Sequence, residues 1–212
     1  KYINLRTHGD DLVLDPFASF SGDNIFLESE GTLRIPEQVR IQGKNLSLSG
    51  YEIFDIPSLM SQTGRYGNFN IQDTLQVKTD EPVSFLASAT SKSNNFILKV
   101  PGISLNNGVH LHAPGILSLD ATSAGNFSMG YGKVSSGIFT DIHGASIESC
   151  GKKSTVPGGS PHTKNFVQSV TYERSQFSGG SGVPYTYIDP ETGVEENRTM
   201  GLRLRSESNI YG

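Results

Sequence analysis

Tryptophan is absent from this chain and cysteine occurs once, as Cys150. A lone thiol forms no intrachain disulfide, so no cystine framework holds the fold, and Cys150 is expected to act as a small buried hydrophobe. Charge is also scarce: 18% of residues are Asp, Glu, Lys or Arg, against ~25% in ordinary domains. The net charge of −4 is spread along the chain, and no Lys/Arg run with interleaved aromatics occurs. Nucleic-acid and anionic-membrane surfaces are therefore not expected as partners. No apolar run approaches the ~18 residues that span a bilayer, and residues 1–11 hold no apolar core of a signal peptide. The chain opens on Lys1, as a fragment excised from a longer protein would. Nucleophile-elbow, His-Glu-x-x-His, phosphate-loop and Cys-x-x-Cys patterns are all missing, so no standard enzyme chemistry has an anchor.

What is present is alternation. Short apolar units recur at Ile3/Leu5, Leu12/Leu14, Ile25/Leu27, Leu33/Ile35, Val39/Ile41, Leu46/Leu48 and Ile53/Ile56, read as the period-two pattern of strands with one buried face. Gly9-Asp10, Gly22-Asp23-Asn24, Glu30-Gly31 and Gly43-Lys44-Asn45 separate them as turns. The units starting at 33, 39, 46 and 53 recur every six or seven residues, too close for a hairpin sandwich at ~8–12. A single-chain solenoid needs a period above ~20 residues, and none that long stands out. The short unit, and the apolar content of only 35% against ~45–50%, predict an all-β, intertwined trimeric β-helix. In it three chains each supply about a third of every layer of a shared core.

The pattern divides the chain into shaft repeats over 1–56, a loop interruption over 57–70, continuing shaft over 71–150 that turns irregular after 120, and a loop-rich distal region or tip over 151–212. Leu202 and Leu204 restore alternation near the end. No segment shows a 3.6-residue period, so essentially no helix is expected.

The run from Arg34 to Gly50, with its Gly43-Lys44-Asn45 turn between alternating strands, resembles the repeats of contractile-tail central spikes and of the type VI secretion spike. The resemblance is one of pattern and is best over 1–56. It implies a homotrimeric phage tail spike, tail fibre or cell-puncturing protein, joined to other tail or baseplate proteins, located in the virion and extracellular on contact with the host. A second point of likeness is His110-Leu111-His112. Some phage spikes carry such a pair, and the resemblance implies six imidazoles from three chains around iron, or another transition metal, on the threefold axis. The competing reading turns Val109 and Leu111 inward and leaves both histidines in water. His8, His143 and His162 are isolated and read as structural or solvated.

The expected function is a non-enzymatic spike, needle or fibre acting in host attachment or envelope penetration. Two alternatives stand beside it: a polysaccharide-degrading tail spike with inter-chain carboxylates, and a trimeric bacterial surface adhesin. Carboxylate pairs at Asp10/Asp11, Glu28/Glu30, Asp80/Glu81, Asp189/Glu191 and Glu195/Glu196 are the material for the first, although charged outer faces explain them equally well. Tyr172, Tyr185 and Tyr187 in the distal region are candidate receptor-binding residues, towards a host cell-surface glycan or the outer membrane.

Overall fold

A computed structural model describes residues 1–122, 125–149, 153–156, 166–167, 169–172, 175–188, 192–207 and 210–211. The calls on Cys150, His162, Asp189 and Glu191 lie outside these residues, as do the side chain of Tyr172 and its surroundings.

The chain winds into a β-solenoid of about seven turns. Its first face is a nine-stranded sheet that stacks Tyr2–Arg6, Ser19–Glu28, Arg40–Gly50, Phe69–Thr79, Asn95–Lys99, Ile116–Asp120, Phe139–Gly144 and Leu202–Ser206 in parallel, with Phe166–Val167 antiparallel at the edge. A second face stacks Val83–Phe85, Ile103–Leu105, Asn126–Met129, Ser146–Ser149 and Ile210–Tyr211, all parallel. A third stacks Ala89–Thr90, Val109–Ala113, Gly132–Ser136 and Ser175–Ser178 in parallel, extended by Ser169–Tyr172 and Lys153–Val156 in antiparallel pairing.

The ladders run within one chain. Ile25 pairs with Leu46, a step of 21 residues, and Leu75 with Phe96 repeats it. The sequence spacing of six or seven residues is thus one side of a three-sided coil, and three sides make the longer period. That period was hidden because the three sides look alike and because insertions interrupt it. Each coil closes its own core, so layers are not built from strands of three chains.

Inside, like stacks on like. Leu27, Leu48, Val77, Leu98, Leu119, Ile142 and Leu204 form one ladder along the first face, none more than 3% exposed. Ile25, Leu46, Leu75, Phe96 and Leu117 form a second beside it, both part of one continuous cluster. Parallel in-register pairing puts equal positions of successive coils ≈ 4.8 Å apart, so a one-coil pattern suffices to build a long core.

The corner leading back to the first face is held by glycine. A Cβ on Gly137 would lie 2.0 Å from the Pro114 carbonyl oxygen, and one on Gly180 1.8 Å from that of Gly137. Only a bare Cα lets the coils approach this closely.

Insertions leave the coil at several points. Between Arg40–Gly50 and Phe69–Thr79 the step lengthens to 29 residues, from Leu46 to Leu75. The added chain holds a six-residue helix, Ile56–Ser61, and a 3-10 turn, Gly64–Tyr66. The expectation of no helix is corrected here. Asp55 caps the Ser58 amide, Pro57 presets the first turn, and Ile56, Leu59 and Met60 are buried. Fewer than two turns of helix leave no readable period. A later insertion, between Ser175–Ser178 and Leu202–Ser206, includes the antiparallel hairpin Val183–Ile188 with Glu195–Met200.

Candidate functional site: an acidic aromatic cleft

Residues 51–58 and the corner formed by 79–87 enclose a cleft of about 660 Å³. Its floor is apolar: Ile53, Ile56 and Val83 are all buried. Tyr51, Phe54 and Leu86 line it and remain exposed, Leu86 at 71%. Glu52, Asp55 and Glu81 complete the wall, and no Lys or Arg lines it.

Backbone bonds fix the walls. The Tyr51 carbonyl accepts from the Asp80 amide at 3.2 Å and from the Thr79 hydroxyl at 2.6 Å. That hydroxyl in turn accepts from the Glu81 amide at 3.1 Å. Behind Phe54, the buried Tyr66 hydroxyl donates to the Phe54 carbonyl. Burial pushes the Tyr66 hydroxyl up to about 12. The Tyr51 hydroxyl is also raised above its ordinary value, first by its hydrogen bond to Glu81 and then by the charges of Glu81, Asp80 and Glu52.

Below the cleft, Gln62 knits the insertion to the coil. It is 1% exposed, its backbone is left-handed at φ 47°, and its amide binds Ile71 through both ends. Ile71 sits where the register slips between Gly43 and Asn45, a bulge whose unpaired groups need such a partner.

The sequence-selected residues are distributed differently. Val109, Leu111 and Ala113 face the core, so His110 and His112 project from the outer side of the third face. His112 Nδ1 lies 3.1 Å from the Ser135 hydroxyl, and Ser88 accepts from the His110 amide at 2.8 Å. Among the described residues no group of three or more His, Cys, Asp or Glu is placed to hold a metal ion. His8 pairs with Glu30 at 3.0 Å, while His143 lies between Asp120 at 3.1 Å and Glu207 at 3.4 Å.

Tyr187 is buried under Arg198, whose guanidinium sits 3.9 Å from the ring centroid. Tyr185 is half-buried on the same hairpin, opposite Arg198, and its hydroxyl oxygen accepts a hydrogen bond from that guanidinium. Glu28 and Glu30 lie near Arg6, Asp11 near Arg34, and Glu196 binds Arg198. Of the carboxylate pairs among the described residues, Asp80/Glu81 alone reaches the cleft. Sequence reasoning missed Tyr51 and Phe54. The signal that could have found them is the break in alternation at 57–70, since an interruption of a repeat is where a solenoid departs from its core.

Among the described residues no helix is long and apolar enough to cross a membrane. No protein-family model, no curated protein and no solved structure matches this chain.

Proposed function

We propose that this chain is a non-enzymatic structural element of a phage tail or related injection apparatus, a spike, needle or fibre segment acting in host attachment or envelope penetration. The observation that carries the reading is the unbroken parallel stack of the first face, eight strands running from Tyr2–Arg6 to Leu202–Ser206. Seven coil-to-coil steps of ≈ 4.8 Å make a rod segment of about 34 Å, with its hydrogen bonds directed along the axis. Such a rod resists bending and presents insertions at fixed heights.

The assembly belonging to this reading is a homotrimer of solenoids set side by side, because each chain closes its own core. Val13, Phe17 and Tyr131, each more than two-fifths exposed and none of them in the cleft, supply apolar surface for lateral contact. Iron or another transition metal, bound by His110 and His112 of three copies, requires the third face to line the threefold axis. Other tail proteins, a host surface glycan or the outer membrane are the partners of such a rod, in the virion and outside the cell.

Sedimentation equilibrium tests the assembly, with three times the 22.9 kDa chain mass expected. A monomer at micromolar concentration sinks the trimer. Incubation with capsule or lipopolysaccharide tests the rest: binding to bacterial envelopes without sugar release is expected, and liberated oligosaccharide overturns the non-enzymatic reading.

A further inference from the structure

We propose that the cleft between 51–58 and 79–87 is a binding site for a basic polypeptide segment, taking a lysine ammonium or arginine guanidinium of a partner protein between Tyr51, Phe54 and the carboxylates of Glu52 and Glu81.

Four observations converge on this chemistry. Exposed rings at Tyr51 and Phe54 offer π faces that attract a cation. Glu52, Asp55 and Glu81 surround the same space and Asp80 adjoins it, while no lining residue is cationic. An anionic ligand would therefore meet several like charges with no counterion. The Tyr51 hydroxyl is raised above its ordinary value by these carboxylates, Glu81 first and then Asp80 and Glu52. Finally, the apolar floor of Ile53, Ile56 and Val83 suits the methylene stem of a lysine or arginine, which buries its carbons and keeps its charge at the rim.

The volume of about 660 Å³ exceeds one side chain and accommodates its flanking residues. The walls are preformed: Tyr51 is tied to Thr79 and Asp80, and Phe54 to Tyr66. A ligand therefore does not have to order them, which lowers the entropic cost of binding. The binding proposal does not depend on a trimer, so a monomer in sedimentation would remove the assembly reading and leave this one intact.

The test is titration of the whole chain with the blocked peptide Lys-Lys-Lys, followed by backbone amide shifts in NMR. Saturable shifts confined to 51–58 and 79–87 are expected. Glu52→Gln and Glu81→Gln should each weaken binding roughly three- to tenfold, and Tyr51→Ala by at least about fivefold. Tyr51→Phe keeps the ring and should keep most of the affinity, which guards against a folding artefact in Tyr51→Ala. Raising salt tenfold should weaken the complex several-fold. The proposal is overturned by no saturable shift up to about 10 mM peptide, by shifts mapping elsewhere, or by affinity indifferent to both glutamine variants. Binding of a neutral trisaccharide such as maltotriose in place of the peptide overturns it as well.

Discussion

Gln62 is the residue whose replacement best tests how the insertion is joined to the coil. Its Oε1 accepts from the Ile71 amide at 2.9 Å, and its Nε2 donates to the Ile71 carbonyl at 3.2 Å and to the Ser93 hydroxyl at 2.8 Å. Replacement by leucine keeps the size and the left-handed backbone but removes every polar atom. The Ile71 carbonyl still accepts from Ser93 at 3.0 Å, so the stranded group is the Ile71 amide. Leaving one buried donor unpaired costs about 1–3 kcal/mol, and the other lost bonds add about 1, giving roughly 2–4 kcal/mol for Gln62→Leu. Urea denaturation followed by far-ultraviolet circular dichroism measures the loss as a lower midpoint at unchanged slope. Gln62→Glu is the internal control. Ionised, it can accept from the Ile71 amide but faces the Ile71 carbonyl with no proton to give. Protonated at acid pH, it can donate again, so its deficit relative to wild type should shrink as pH falls. A Gln62→Leu midpoint within error of wild type would refute the reasoning and show that water or a backbone shift satisfies the bulge.

Other expectations follow from the same structure. Tyr66 has its folded-state value raised to about 12, so the stability it contributes is complete below the unfolded value near 10 and is lost as pH climbs through 12. Two units correspond to about 2–3 kcal/mol. Tyr66→Phe should flatten the fall in denaturation midpoint between those pH values. Asp141, 5% exposed, binds both Arg203 and Arg205, fastening the last first-face strand to the coil before it. Asp141→Asn should cost about 2–3 kcal/mol, below the usual figure for breaking a buried pair because both arginines can reach water, and limited proteolysis should show cleavage near 202–206 first. Gly137→Ala places a methyl against the Pro114 carbonyl and should destabilise by more than the few tenths typical of surface changes, about 2 kcal/mol or more, read as a lowered thermal midpoint.

Alternation in Leu46/Leu48, Leu75/Val77 and Leu117/Leu119 was enough to read the strands and their buried faces, because side-chain period in a strand is a local property. The turn at Gly9 was legible too, and Gly9 takes the positive φ that glycine allows. The outward or inward sense of His110 and His112 was not legible. It is fixed by the register of Leu111 between Ala89 and Val134, and a slip of one residue would have reversed it. The cleft was hidden too, since Tyr51 and Glu81 are thirty residues apart and meet only because one coil returns over the last.

The sequence by itself determined that this chain is all-β, made of strands with one buried face; the expected turns at Gly22-Asp23-Asn24 and Gly43-Lys44-Asn45 instead lie inside the continuous strands Ser19–Glu28 and Arg40–Gly50. Tertiary structure alone decided whose strands pair. Local alternation states that each strand needs a neighbour, but the neighbour is chosen by closure of a whole coil, in which three similar sides must meet around one core. Pairing at a step of 21 residues satisfies that closure within one chain. The same closure set residues 51–58 beside the 79–87 corner of the next coil, and so made the cleft.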